Sequence, residues 1–520
     1  SRSTQYWNSP GRSPSTSPIS NMATTTTLIG IGASCVDDFE QAEKTSADSS
    51  RHKHKIRGMG RILAVSMPFL QPRHFICSNR IVKWLDQLFN VSSQGSTVRK
   101  ELLAGIATIA AMSYILVVNP SMLAKTGMPQ EALITVTAVA AAFGCFLMAW
   151  MTNYPIALAP GMGTNAYFTF VICIGMGVSW QAALSMTFWN GVIFLILSVT
   201  GLRKKIAESL PNGMKVGIQV GIGFFIAFIG LKNVGIVVND DATLVAVGSL
   251  KSPASILVIV GVILMTVLSI KKIPGAILFS ILGITFLGFF LSSGGTPITP
   301  APSGVISAPA GIGETFMQLN IWYPFKFWQE ALPVILTLLI LDLFDSIGTL
   351  VGLSRRAKLV DENGNMPNMG KALTADSIAT IGGALLGTST TTSYVESAVG
   401  IESGGKTGLT SVACGFCFLL ALIFTPILTI VPAVATAPAL VMVGVFMAQG
   451  LKELNFDDLS EVAPAFITML MIPLTFSITE GIGIGLVVFV FVMILLNRIK
   501  EVPIFSYLVA VLFLVYYALK

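Results

Sequence analysis

The sequence predicts an all-α polytopic membrane protein whose fourteen spans form two inverted halves of seven. Three observations carry that reading. Hydrophobic residues make up 53% of the 520 and charged ones only 11%, where soluble domains carry about 25% charged. From about residue 100 to residue 497, apolar runs of membrane-crossing length follow one another. Two of those runs open with Pro, Gly and Thr at corresponding places in the two halves, a pattern of interrupted spans.

The N-terminal region comes first. Residues 1–60 are rich in Ser and Thr and lack a hydrophobic period, so they cannot bury enough apolar surface to fold alone. A disordered tail, a targeting peptide and a reading-frame artefact all fit, since Met22, Met59 and Met67 each offer a start. Asp37, Asp38, Glu40 and Glu43 argue against a transit peptide, and no secretory signal is visible. Residues 81–90 form an amphipathic stretch expected at the membrane surface.

Full spans are expected near 102–123, 131–151, 179–200, 212–232, 253–270, 274–293, 328–350, 371–388, 407–429, 433–451, 462–479 and 481–497. Residues 155–175 open Pro155 to Asn165, and residues 388–402 open Thr388 to Ser393, before each turns helical. Such openings predict extended chain, which survives at membrane depth only inside protein or beside a cavity. Arg99 to Ala104 leads into its span much as Trp328 to Pro333 does, and Pro211 to Lys232 resembles Pro432 to Lys452. An odd number of spans per half turns the halves over. The apolar tail, 503–519, leaves a fifteenth crossing and an interfacial helix both open.

Charge supports an N-terminus inside. Arg99, Lys100, Arg203 to Lys205, Lys271, Lys272, Arg355, Arg356, Lys358, Lys406, Lys452, Arg498 and Lys500 then share one side. The net charge of +6 orients helices and is no nucleic-acid signal. The six cysteines suggest no disulfide framework, and Cys414 and Cys417 read as packing residues within a span. His52, His54 and His74 all precede the first span, so proton coupling would rest on carboxylates.

Asp342 and Asp345 lie three residues apart within an apolar run and are expected to share one helix face toward a cavity. Glu396 is expected about one turn into the second half-helix. Asn165 is expected at the turn from extended chain to helix, capping it, binding a ligand, or both. With the free amides at the two half-helix starts, these groups match the alternating donors and acceptors of a purine edge, and the acids would repel an anion. Tyr394, Tyr167 and Phe168 are candidate stacking surfaces. Gly400 to Thr407 matches the phosphate-loop pattern, but it joins two membrane segments and reads as a cytoplasmic turn. Gly217, Gly221, Gly223 and Gly230 read as helix packing.

The stretches Ala159 to Phe168, Leu343 to Leu350, Ala372 to Asp376, Gly387 to Ser397 and Gly404 to Gly408 resemble the nucleobase:cation symporter-2 family, in its Azg-like branch of purine permeases. The resemblance covers about residues 99–498. It implies core and gate domains: core segments 99–200 and 328–430, gate segments 201–294 and 431–498. Outside them lie a polar N-terminal region (1–98), an extracellular loop (295–327) and a C-terminal tail (499–520). It implies a substrate site at Asn165, Asp342, Asp345 and Glu396, with Thr164 and Tyr394 beside them. Proton coupling would fall to Asp342, Asp345 or Glu396, with no cofactor beyond the proton. Adenine, guanine and hypoxanthine are the implied substrates. A gate-domain homodimer and multi-pass residence in the plasma membrane are also expected. The transport core looks closer to microbial forms than to plant ones. An anion exchanger on the same fold is the alternative, and a nucleotide-hydrolysing membrane enzyme rests only on Gly400 to Thr407.

Overall fold

The structure is a computed structural model that describes residues 73–200, 211–293, 295–302, 304–357, 359 and 366–519. Expectations for residues 1–60, for Arg203 to Lys205 and for Lys358 lie outside the described residues. The chain opens with α1 (Arg73–Phe89). Thr97 then caps α2 (Val98–Met112) by accepting from the Lys100 amide. The first span is not one straight helix. Regular α-helix gives way to a turn at Ser113 and Tyr114 and resumes as α3 (Ile115–Leu123), which holds Pro120. After α4 (Gln130–Thr152) comes β1 (Leu158–Pro160), three buried residues. Next is α5 (Met162–Ala166), continued in wider π-helical turns over Tyr167–Gly175.

The first half ends with α6 (Trp180–Val199), α7 (Asn212–Asn233), the hairpin β2 (Val237–Asp240) and β3 (Leu244–Val247), α8 (Pro253–Ile270) and α9 (Ala276–Gly288). A small ribbon, β4 (Ser292–Ser293) with β5 (Thr296–Pro297), and α10 (Tyr323–Lys326) lead into α11 (Trp328–Arg356). The second half continues through α12 (Met369–Leu386), β6 (Thr391–Ser393), α13 (Ser397–Glu402), α14 (Gly408–Ala421), α15 (Thr425–Thr429), α16 (Ala433–Ala448), α17 (Leu459–Thr475) and α18 (Ile478–Leu495). The tail forms α19 (Ile504–Leu519), packed on α18.

Among the described residues, nine helices are long and apolar enough to cross a membrane, and Met162–Gly175, Ala276–Gly288 and Leu459–Thr475 are shorter apolar helices. The expected span over 274–293 is therefore a 13-residue helix. At 1.5 Å per residue it falls short of the ~30 Å hydrocarbon layer.

The two halves repeat one plan in opposite orientation. α4 packs on α14, and the equivalent α12 packs on α6. The two broken spans meet as an antiparallel ribbon that pairs Leu158 with Ser393, Ala159 with Thr392 and Pro160 with Thr391. Antiparallel pairing of equivalent segments is what a two-fold axis in the membrane plane imposes. The glycine stripe of α7 serves packing as expected. A Cβ on Gly217 would stand 2.8 Å from the Ala465 carbonyl oxygen, and one on Gly223 would stand 3.0 Å from that of Gly444. Cys414 is buried with its sulfur 3.9 Å from that of Met112.

The phosphate-loop match has a structural explanation. Glu101, fully buried in α2, accepts from the backbone amides of Lys406 (3.0 Å) and Thr407 (3.2 Å) and from the Thr410 hydroxyl (2.6 Å). The anion seat is filled by the chain's own carboxylate. Lys406 does more than face the surface, since its Nζ donates to the carbonyls of Gln94 and Gly95. It thereby ties the turn before α2 to the start of α14.

Candidate functional site

The broken spans define a hollow. Chain that pairs across β1 and β6 has no helix to satisfy its backbone, so the ribbon does so. The ribbon holds the starts of α5 and α13 near each other. Against them lie α7, α11 and α16, and between these elements is a cavity of about 370 Å³, within the range of small-molecule sites. Its lining includes Thr164, Asp345, Tyr394, Glu396 and, outside the expected set, Tyr114 and Phe344.

Asp345 is open to this space, although it sits well inside α11. Glu396 is half-buried and immediately precedes α13 rather than lying a turn inside it. Its Oε1 accepts from the Tyr114 hydroxyl at 2.7 Å. Tyr114 lies in the turn between α2 and α3. The Thr164 hydroxyl donates to the Gly161 carbonyl at 2.9 Å and pairs with Thr390 at 2.6 Å. The Tyr394 hydroxyl is turned away, donating to the Pro160 carbonyl at 2.5 Å. Lys215 Nζ stands 5.8 Å over the Phe344 ring, and both residues line the cavity.

Two expected site residues lie outside the lining. Asp342 is buried and accepts from Asn190 Nδ2 of α6 at 3.3 Å. Three residues turn a helix by about 300°, so Asp342 and Asp345 diverge by about 60°. That offset sends one to a neighbouring helix and the other to the cavity. Asn165 is also fully buried, and its Oδ1 accepts from the Ser389 hydroxyl. It does not cap α5, whose first residue follows Gly161 without a side-chain cap. Its Nδ2 has no hydrogen-bond partner among the described residues. Tyr167 and Phe168 are fully buried, and the Tyr167 hydroxyl pairs with Thr479 at 2.7 Å. They support α5 rather than line the hollow.

Sequence reasoning passed over Asp376 as a site residue. It is buried in α12 and accepts from the hydroxyls of Ser346, Thr392 (3.2 Å) and Ser393 (3.2 Å). One carboxylate thus joins α11 to the ribbon behind Asp345. An Asp within an apolar run was the available signal.

A family model described as "Permease family" matches residues 99–484, which include every element of this site. The chain belongs to the nucleobase:cation symporter-2 permease family. The permease is 40% identical over 433 residues to the adenine permease AdeQ of Escherichia coli, covering 82% of this chain and 95% of that one. It is 40% identical over 438 residues to the guanine/hypoxanthine permease PbuG of Bacillus subtilis, covering 82% and 98%. These relatives are named as permeases, and the chain is a transporter rather than an enzyme. In fold it is similar to the transmembrane domain of the cyanobacterial bicarbonate transporter BicA, with TM-score 0.55 and 15% identity over 74% of this chain and 96% of that one. The permease therefore shares the inverted-repeat membrane fold of that group.

Proposed function

We propose that the permease imports purine nucleobases, with adenine, guanine and hypoxanthine as the candidate substrates, by proton symport. The observation that carries this reading is the sharing of one cavity by Asp345 and Glu396, with Phe344 and Tyr394 beside them. Carboxylates accept from the N–H groups of a purine edge, and an aromatic side chain packs on a flat ring. In this reading one of these acids takes up the proton that travels with the neutral base. The names of the relatives, adenine permease and guanine/hypoxanthine permease, support the same class.

In this proposal spans 1–4 and 8–11 form a core that carries the loaded site past a gate of spans 5–7 and 12–14, through which two copies associate. The proton is the only coupling partner and no cofactor takes part. Asp345 and Glu396 contact the base, with Thr164 and Tyr394 shaping the pocket, and both acids are candidates to hold the coupling proton. Asp342 and Asn165 then act one layer behind, Asp342 through Asn190. The N-terminus lies in the cytoplasm of a plasma-membrane protein. The cavity is also lined by Asn212, Lys215 and Glu453, and in this proposal that end, next in sequence to Lys452, faces the cytoplasm.

The test is uptake of labelled adenine, guanine and hypoxanthine into cells lacking native permeases, at several external pH values. Faster uptake in acid for at least one base is expected, and no uptake of any of them would end the proposal. Anion exchange is the second reading, favoured by the fold shared with a bicarbonate transporter. The cavity acids weigh against it, and chloride or bicarbonate flux in the same cells would revive it.

A further inference from the structure

Outside the cavity, the surface that the transport reading does not use is α1. Its inner face is docked. Phe89 and Val91 are buried with Val98, Ala149 and Leu409, and Leu85 packs on them. Asn153 Nδ2 donates to the Phe89 carbonyl at 2.8 Å. Asp86 accepts from the amide (2.7 Å) and hydroxyl (2.8 Å) of Ser92, which turns its charge toward the following turn. With Lys406 holding Gln94 and Gly95, the end of α1 is fastened to α2, α4 and α14.

The outer face is arranged in two strips. Ile81, Trp84 and Leu88 are exposed, Trp84 by 59%, and their i, i+3, i+7 spacing makes one stripe. Arg80 and Lys83 are exposed, and at 100° per residue they lie along the edge of that stripe farther from the docked face. Arg99 and Lys100, also exposed, begin α2. One turn later Leu102, Leu103 and Ile106 are exposed, so the lipid-facing wall of the first span starts there. A helix bound to bulk water would not bare Ile, Trp and Leu together. A helix crossing the bilayer would not carry Arg80 and Lys83 in mid-sequence.

We propose that α1 is a binding surface for anionic phospholipid. Ile81, Trp84 and Leu88 enter the acyl boundary, and Arg80, Lys83, Arg99 and Lys100 engage the phosphate headgroups. The charge complementarity and the continuity with the lipid-facing wall of α2 select this occupant. α1 is fastened to α2 and α14, and α2 in turn packs on α13, the helix of the second broken span.

The test uses the full chain in nanodiscs of phosphatidylcholine, with or without phosphatidylglycerol, followed by hydrogen–deuterium exchange. Amides of residues 80–89 should exchange several-fold more slowly in the anionic discs. The double variant Arg80→Gln, Lys83→Gln should lose that difference while exchange in α14 stays as in the wild type. Free inorganic phosphate added to neutral discs should give no protection. The fluorescence lost in Trp84→Phe should be the component quenched by brominated acyl chains. Equal protection in both discs would overturn the proposal and assign the face to the chain's own N-terminal residues or a second copy. Quenching of Trp84 by aqueous iodide and not by bromolipid would also overturn it. These readouts involve no substrate, so they stand or fall apart from the transport reading.

Discussion

Tyr114 donates its hydroxyl to Glu396 across 2.7 Å, joining the turn within the first span to the residue that precedes the second half-helix. A hydrogen bond to a charged group contributes about 1.5–3 kcal/mol. Tyr114→Phe keeps the buried ring and removes only this bond. Labelled adenine or guanine uptake should fall by about tenfold or more, with surface expression unchanged. An unaltered uptake rate would remove Tyr114 from the site.

The acids of α11 should behave differently from each other. Asp345→Asn and Glu396→Gln should each reduce uptake by about a hundredfold, with normal thermal stability. Asp342→Ala leaves Asn190 without its acceptor, so its first effect should be on folding, at about 1–3 kcal/mol. Thermal melting in detergent beside uptake separates the two. Full stability in Asp342→Ala with abolished transport would return Asp342 to the ligand.

Glu101→Ala should destabilise the protein by about 2–4 kcal/mol, because two amides and a hydroxyl at the start of α14 lose a buried anion. Glu101→Gln, which can still accept one bond, should fall between. ATP should neither bind nor stabilise the wild type in a melting assay. A saturable nucleotide shift abolished by Lys406→Ala would contradict the filled seat.

Asp376→Ala strips three hydroxyls of their shared acceptor. The ribbon behind Asp345 should lose its position, with uptake falling at least about tenfold and Asp376→Asn recovering part of it. Equal loss in Asn and Ala would show that the charge, rather than the bonds, is required.

Asp458, at the aqueous end of α17, accepts from the Ser460 hydroxyl (2.6 Å) and amide (2.9 Å). These bonds, with Arg498 adding to them, hold its carboxyl below the ordinary aspartate range. Its folded value lies below the unfolded one, so its contribution is present above the unfolded value and is lost as pH falls through the folded one. Asp458→Ala should cost at most about 2 °C in Tm at neutral pH, since the site is wet. The difference from wild type should shrink in acid. A gap that widened on acidification would reverse the assignment.

Both breaks were legible because Pro155, Pro160, Gly161 and the run Thr388 to Ser393 disfavour helix at membrane depth. The partnership of Leu158 with Ser393 was not, since nothing in either segment names a strand so distant in sequence. The cavity acids were legible as costly charges, but the spacing of Asp342 and Asp345 leaves an offset that only the position of α6 resolves. Glu101 follows Arg99 and Lys100 and reads as one more charge at a span's edge. Its burial appears only when the start of α14 closes over it. Tyr114 reads as one aromatic among many until the fold brings its hydroxyl to Glu396.

The ribbon also sets a rule for manufacture. While the ribosome is still making the first half, Leu158–Pro160 reaches the bilayer with no complementary strand yet in existence. Bare backbone costs several kcal/mol per group in hydrocarbon, so water or the insertion machinery has to shelter this segment until Thr391–Ser393 emerges. A product truncated before that point carries an unfinished edge in its interior.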